Sequence, residues 1–390
     1  MTRAAPHIPL VVLADPLELP ASPVLPAPAR LAARRSACAV AELAARCAEA
    51  CAPAELAAPL AAAAAATRDL ADQIMHLVPH LDAGALPVRV PNHEYFGVRG
   101  SGPDARALRP EQAAIFEAVI CWWALADLAH TMIDINDLAA EVAALRMVLA
   151  QLVTAPRPAP PPARPAAPAG RAAPAAHPAK LCRPSPLTGF EPTGDGLDRW
   201  IIAHHGYFMF NVRAAAAVTT GLHAAAAGQD DQAAGWLGDA AGYVRGFTAA
   251  MAHAAAMPAS YYQRTVRPTM APPAVPRELT GRTQPEHRAF RGALDKLLTE
   301  LPQPYDALST RSLALAAARE ALLDADLADI ERHVAVAAAL VGSDHSLVAP
   351  GSSAENAVAT LRLMRHLRAA RYCPLTRFGD RFAADGRRNQ

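Results

Sequence analysis

The chain has 390 residues, of which 52% are hydrophobic and 19% charged, and its formal net charge is +1. A nucleic-acid-binding protein usually carries a basic patch or stripe, so this near-neutral balance argues against nucleic acid as a partner. No apolar run has the length and hydrophobicity of a transmembrane helix, and no membrane association is expected. The six cysteines include no C-x-x-C pair, which argues against a zinc ribbon and is typical of free thiols in a reducing cytoplasm.

Composition divides the chain into four predicted segments. Residues 1–30 are rich in proline and are expected to be extended. Residues 31–153 form an Ala-rich helical region, since alanine has the highest helix propensity. Residues 154–192 are of low complexity, rich in Pro and Ala, and predict a semi-stiff linker. Residues 193–380 are again helical, and the lack of alternating β-branched runs predicts an all-α protein.

Helix boundaries follow from apolar spacing and from proline positions. Pro110 stands where a first helical residue is expected, and the pattern predicts helical structure over 110–153. Beyond the linker, helices are predicted at 196–227, 231–256, 259–267, 285–300, 307–341 and 353–371.

The segment Trp200–Arg213 carries two histidines and four aromatic residues, although aromatics make up only 5% of the chain. His204, Phe208 and Asn211 are spaced three or four residues apart, so they share one helix face with Tyr207 beside them. A histidine with a pKa near ~6.5 can exchange a proton at neutral pH. The segment is therefore either a proton-transfer site or a buried helix with core histidines.

Three strings in the second half resemble tryptophan 2,3-dioxygenase. Ile201–Phe210 resembles its distal haem helix and places His204 at the distal position. Met257–Pro268 resembles its Met-Thr-Pro, aromatic, Arg-Pro segment. Leu279–Arg291 resembles its run ending in Phe-Arg, where the arginine grips the amino-acid carboxylate, so Arg291 takes that candidate role.

A fourth string, Glu331–Gly342, resembles the proximal haem helix of the same family and implies that His333 is the axial ligand. A haem ligand needs an imidazole on a rigid helix that faces an apolar pocket. Val334 and Ala337 supply apolar neighbours on that helix, and small alanines leave room for a porphyrin. His366 and His287 are the alternative ligands.

The Gly-Thr-Gly-Gly-Ser signature of the dioxygenase is not kept, and two strings are more similar to a sister group: Y-x-x-x-V-R-P-T-M-A-P-P at Tyr262–Pro273 and L-T-G-x-x-x-P-E-H at Leu279–His287. The sister group comprises the histidine-ligated haem hydroxylases of natural-product pathways, which oxidise L-tyrosine or 3-methyl-L-tyrosine to catechols. One branch attaches its haem through H-x-x-x-C, but Ala337 follows His333 at that spacing, so no thioether is expected. The resemblance implies a helical bundle of the tryptophan/indoleamine dioxygenase type. It further implies haem b, O2 or H2O2 as co-substrate, hydroxylation ortho to a phenol, and a homo-oligomer in the cytoplasm.

The resemblance also assigns roles to individual residues. His204 would act as a base on the phenol or move a proton to the bound oxygen. The N-terminal residues His93, Tyr95 and Phe96 would close over the active site of the same or a neighbouring subunit. The aromatic wall would be Tyr207, Phe208 and Phe210, and the carboxylate clamp would be Arg291, with Arg267 and Arg288 in reserve.

Three other interpretations of the function remain open. The first is a dioxygenase that opens a pyrrole ring. The second is a non-haem di-iron oxidase, because Asp329-x-x-x-His333 and Asp127-Leu128-Ala129-His130 resemble carboxylate–histidine pairs, although the C-terminal half has no Glu-x-x-His. The third is a helical binding protein without a cofactor.

Overall fold

The structure is a computed structural model. It describes residues 8–13, 25–75, 88, 90–100, 110–153, 184–185, 195–276, 279, 281, 284–342 and 356–377. Helices dominate this part of the chain, and the prediction of an all-α fold is confirmed. No helix in the described part is long and apolar enough to cross a membrane. The helices are α1 (Ala27–Glu49), α2 (Ala57–Met75), α3 (Pro91–Tyr95), α4 (Pro110–Leu128), α5 (Ile135–Gln151), α6 (Gly196–Ala226), α7 (Asp230–Ala254), α8 (Ala259–Tyr261), α9 (Pro285–Glu300), α10 (Tyr305–Arg311), α11 (Leu313–Val341) and α12 (Ala357–Tyr372).

Two small parallel strand pairs accompany the helices and were not expected from the sequence. Strand β1 (Ile8–Pro9) pairs with β4 (Pro184–Ser185), and β2 (Val11–Leu13) pairs with β3 (Val98–Gly100). Such pairs of two or three residues leave no alternating pattern to detect. Apart from residues 184–185, the predicted linker lies outside the described residues.

Two predicted helices are interrupted by residues that cap a new helix. The prediction over 110–153 is split because Asp134 accepts a hydrogen bond from the Asn136 backbone N–H at 2.8 Å and starts α5. The prediction over 307–341 breaks at Ser312, whose backbone is extended (φ −155°, ψ 112°). Its hydroxyl accepts a hydrogen bond from the Leu315 N–H and starts α11. The chain therefore bends at these caps, which apolar spacing does not reveal.

The antiparallel pair α6 and α7 forms the centre of the fold. Helices α4 and α9 pack on α6, while α5 and α11 pack on α7. The close approach of α5 and α7 depends on glycine, since a Cβ at Gly246 would collide with Ala144. The N-terminal helices therefore share one hydrophobic core with the helices beyond the linker.

A buried ionic cluster joins α4, α5, α6 and α7. The His253 Nε2 lies 2.8 Å from the Asp127 Oδ2, and its Nδ1 lies 3.1 Å from the Glu141 Oε1. The Arg199 Nε donates to the same Asp127 oxygen at 3.0 Å. His253, Asp127 and Glu141 are fully buried. Two carboxylates thus face an imidazole and a guanidinium, which compensates their charge away from water.

This cluster predicts a loss of stability at alkaline pH. Burial alone would lower the pKa of His253, but the Glu141 and Asp127 carboxylates outweigh it and raise that pKa from 6.5 to about 9. Because the folded pKa lies above the unfolded one, the contribution is complete below pH 6.5 and lost as pH rises through 9. We expect the denaturant midpoints of wild type and His253→Gln to converge over this range. A difference between them that does not change with pH would contradict the prediction.

Candidate active site

His204 lies on α6 between two aromatic rings. Its ring stacks on Phe96 at 4.6 Å between centroids and an interplanar angle of 18°, and it lies 4.2 Å from the Trp200 ring. The Nδ1 of His204 is 2.6 Å from the backbone oxygen of Trp200. A carbonyl only accepts, so Nδ1 carries the proton and Nε2 keeps its lone pair.

The imidazole of His204 is neutral at physiological pH. Burial lowers its pKa to about 4, and the charges of His205 and His333 act in the same direction. The hydrogen bond to Trp200 opposes this shift without reversing it. Nε2 is therefore available as a proton acceptor throughout the neutral range.

Tyr207 and Phe208 lie on the same side of α6 as His204. The Phe208 ring is 6.0 Å from His204 and 5.2 Å from Phe96. The Tyr207 hydroxyl is 3.1 Å from the Nδ1 of His287 at the start of α9, which places these two side chains in contact.

Phe210, which the resemblance also assigned to the aromatic wall, has different surroundings. It is fully buried, stacks on Tyr243 at 6.5 Å and packs beside Gly246 of α7. Its contacts therefore belong to the α6–α7 interface, and its predicted role in substrate binding stays a prediction.

His333 lies on α11 and is held by Asp329, one turn earlier. Its Nδ1 is 3.0 Å from the Asp329 backbone oxygen and 3.3 Å from the Oδ1 of the same residue. Burial alone would lower the pKa of His333, but the Asp329 carboxylate and its hydrogen bond outweigh that effect and raise it. Beside His333, Val334 is half-buried and Ala337 is fully buried.

His204, His287 and His333 together form a set of nitrogen donors. Tyr207 links the first two, because its ring lies 6.2 Å from His204 and its hydroxyl lies 3.1 Å from the Nδ1 of His287. The charge of His333 lowers the pKa of both. Each of the three imidazoles uses Nδ1 in a hydrogen bond, and Nε2 has no such partner within the described part. Histidines that ligate a metal characteristically hold their other ring nitrogen in this way. The chemistry of these donors fits a haem, and the assignment of His333 as its axial ligand stays a prediction.

The two alternative axial ligands have contrasting positions. His287 is partly buried, and burial lowers its pKa to about 4, so it is a neutral donor. His366 is exposed on α12. A haem ligand must face an enclosed apolar pocket. His287 therefore suits a second ligand better than His366, and both assignments stay predictions.

The arginines proposed for the substrate carboxylate are spread over the site and its surface. Arg291 pairs with the buried Asp326 at 2.5 Å and donates to the Tyr372 hydroxyl at 3.3 Å. Arg288 is exposed on α9. Arg267 is half-buried and acts electrostatically on Tyr262. A substrate carboxylate would have to compete with Asp326 for Arg291, and none of the three assignments is tested by these contacts.

The segment Pro91–Phe96 lies against the histidines of this site within the same chain. The backbone oxygen of Phe96 is 2.6 Å from the Nε2 of His205. The Nε2 of His93 is 2.9 Å from the Oε2 of Glu286, and both side chains are fully buried. The N-terminal region therefore supplies part of the wall around His204.

Sequence reasoning missed Arg368 as a residue of the site. It extends from α12, donates to the Asp326 Oδ1 at 3.2 Å, and its charge lowers the pKa of His287 and His333. The sequence around Arg368 has the pattern of an exposed, Arg-rich helix, so nothing in the neighbouring residues distinguishes this arginine. Asp329 did carry a signal, its i−4 spacing from His333, which was interpreted as one arm of a di-iron centre.

The described residues do not assemble a non-haem metal centre. No group of three or more His, Cys, Asp or Glu side chains among them is placed to hold a metal ion. Asp127 is committed to His253 and Arg199, and His130 is exposed. A di-iron bundle needs several carboxylates turned inward. The di-iron reading therefore has no structural support in this part of the chain.

Comparison with known proteins gives a family match. A family model described as SfmD 3-methyl-L-tyrosine peroxygenase matches residues 12–321. This range includes the N-terminal helices together with His204 and His287, and it ends before His333. The chain therefore belongs to the SfmD 3-methyl-L-tyrosine peroxygenase family, which confirms the relation to tyrosine-oxidising enzymes predicted from the sequence.

Two individual proteins are similar to the chain. The 3-methyl-L-tyrosine peroxygenase of Streptomyces lavendulae is 28% identical over 193 residues, which cover 48% of this chain and 51% of that protein. The match thus spans about half the length of this curated relative. The crystal structure of reduced SfmD, soaked with sodium hydrosulfite, is 22% identical with a TM-score of 0.46, covering 83% of this chain and 97% of that one.

Proposed function

We propose that this chain is a haem-dependent peroxygenase that hydroxylates a tyrosine derivative, with 3-methyl-L-tyrosine as the first substrate to test. The observation that carries the proposal is the family match over residues 12–321. The neutral His204 and the Nδ1-anchored His333 support it, because they would supply a proton acceptor and an axial ligand.

The proposed reaction replaces one ring C–H bond, ortho to the phenol, by C–OH. One oxygen of H2O2 enters the ring, and the other leaves as water, so atoms and electrons balance. Haem b would be held by His333, with Val334 and Ala337 beside it, and would supply the iron at which peroxide is activated. A homo-oligomer and a cytoplasmic location stay predictions that accompany this proposal.

The chain's own residues position the substrate and move the proton. The lone pair of the His204 Nε2 accepts the phenol proton, while the bond from Nδ1 to the Trp200 oxygen fixes the ring orientation. Phe96, Tyr207 and Phe208 form an aromatic wall beside the partly buried imidazole. An apolar wall of this kind reduces the water around a reacting group, which strengthens the electrostatic interactions within the site.

The proposal is tested by spectra of wild type and His333→Ala, each expressed with a haem precursor. We expect a Soret band that shifts on reduction with dithionite in the wild type and is lost or altered in the variant. H2O2-dependent oxidation of 3-methyl-L-tyrosine, L-tyrosine and L-tryptophan is then compared for the wild type. We expect catechol formation from the tyrosines and no ring-opened product from tryptophan.

Different outcomes overturn different parts of this proposal. A haem band that the His333→Ala variant keeps unchanged would reassign the ligand to His287 or His366. Ring opening of tryptophan would replace the hydroxylase by a dioxygenase. Neither haem nor iron after reconstitution would leave a helical binding protein.

A further inference from the structure

The carboxylate of Asp329 lies directly behind His333. Asp329 is only 2% exposed, and its Oδ1 is 3.3 Å from the His333 Nδ1. The Thr248 hydroxyl of α7 is 3.2 Å from the same Oδ1, and an Nη1 of Arg368 from α12 is 3.9 Å from Oδ2. Three helices thus hold one carboxylate at the back of one imidazole.

A carboxylate is not needed here to orient the ring. The backbone oxygen of Asp329 is already 3.0 Å from Nδ1 and would fix the same tautomer by itself. Burying a carboxylate is costly unless charged or hydrogen-bonding groups compensate it. Its surroundings, with Thr248 and Arg368 as neighbours, offset that cost and keep a negative charge beside Nδ1.

We propose that Asp329 is a positioning residue that polarises His333 and lowers the reduction potential of the bound haem. The Nδ1–H donates to the Asp329 backbone oxygen, and the carboxylate lies 3.3 Å from the same nitrogen as an ion-pair contact. A negative charge this close to Nδ1–H increases the electron donation of Nε2 to a metal, and stronger donation stabilises Fe(III) relative to Fe(II). A ferric resting state suits H2O2 as oxidant. This inference rests on the proposed function, since it requires that His333 holds the haem.

The test compares haem-loaded wild type with Asp329→Asn, Asp329→Glu and Asp326→Asn. Asp326 is a matched control, because it is one turn earlier on α11, is 1% exposed and pairs with Arg291 and Arg368 rather than with His333. The readouts are the Fe(III)/Fe(II) midpoint potential and the iron–histidine stretching frequency of the ferrous protein. We expect Asp329→Asn to keep the Soret band, raise the potential and lower the frequency. Asp329→Glu keeps a carboxylate, so its potential and stretching frequency should lie between those of Asp329→Asn and the wild type. Asp326→Asn should leave the stretching frequency unchanged.

A further variant keeps the proposal testable if Asp329→Asn does not fold. Thr248→Val is nearly isosteric and removes a hydroxyl near Oδ1 while the carboxylate stays charged, so we expect a higher stretching frequency. The proposal is overturned if neither variant changes the frequency, or if Asp326→Asn changes it as much as Asp329→Asn. The His333→Ala variant separates failure of this inference from failure of the proposed function. If its haem spectrum equals that of the wild type, His333 is not the axial ligand, and the proposed function fails at that point whatever the Asp329 variants show.

Discussion

We expect the His204→Ala variant to bind haem as the wild type does and to lose about 10²- to 10⁴-fold of its kcat for a tyrosine substrate. The loss follows from removing the lone pair of Nε2, which the bond to the Trp200 oxygen leaves available. Steady-state kinetics with H2O2, together with the Soret absorbance, separate this loss from a loss of haem.

A matched control lies on the same helix. His223 is exposed near the end of α6, and His223→Ala removes an imidazole without touching the site. We expect its kcat and Soret band to match those of the wild type. Equal activity of His204→Ala and His223→Ala would reject the role of His204 as proton acceptor.

The pH profile gives a second check on the same residue. Burial lowers the pKa of His204 to about 4, so the basic form persists down to that pH. We expect no fall in kcat near pH 6.5 that is due to this imidazole. A fall near pH 6.5 that His204→Ala abolishes would show that its surroundings are wetter than the contacts with Phe96 and Trp200 imply.

Local sequence information was sufficient for the arrangement of α6. The three- and four-residue spacing of His204, Phe208 and Asn211 predicted one helix face, and the helix at Gly196–Ala226 follows the predicted 196–227. Helix periodicity is a property of neighbouring residues, so it is visible in one sequence. That His204 and His333 lie on opposite faces of one haem was implied by resemblance to a family and not by spacing, and it stays a prediction.

Contacts between residues far apart in the sequence could not be predicted from the spacing of neighbouring residues. Arg291 was assigned to a substrate carboxylate, yet it pairs with Asp326 on α11 and Tyr372 on α12, which are 35 and 81 residues away. Likewise, Phe96 meets His204 across more than a hundred residues. Such partners depend on how whole helices pack, and helical periodicity specifies the buried face without specifying what covers it.

The connection between the two halves of the chain was also open at the sequence level. The Pro/Ala-rich segment 154–192 predicted a linker and left open whether the helices before it pack on those after it, and in the structure α4 and α5 pack directly on α6 and α7. The buried Asp127–His253 ion pair spans 126 positions across that segment. The linker composition describes the connecting chain and carries no information about whether the segments on either side pack together.

We expect Asp127→Ala to lower the free energy of unfolding by about 3–5 kcal/mol, the largest loss of stability among the substitutions proposed in this chain. Removal of the carboxylate leaves the His253 imidazole and the Arg199 guanidinium with one partner fewer inside the core. Chemical denaturation at pH 7 measures the loss.

The control for this substitution is an acidic residue in a surface ion pair. Asp69 pairs with Arg35, and both side chains are more than 40% exposed. Exposed pairs of this kind contribute below about 1 kcal/mol, so Asp69→Ala should shift the denaturation midpoint little. If Asp127→Ala proves no more costly than Asp69→Ala, the buried cluster does not stabilise the junction of α4 and α5 with α6 and α7. If the large loss is found, the N-terminal helices are energetically part of the unit that positions His204, which agrees with a family match that begins at residue 12.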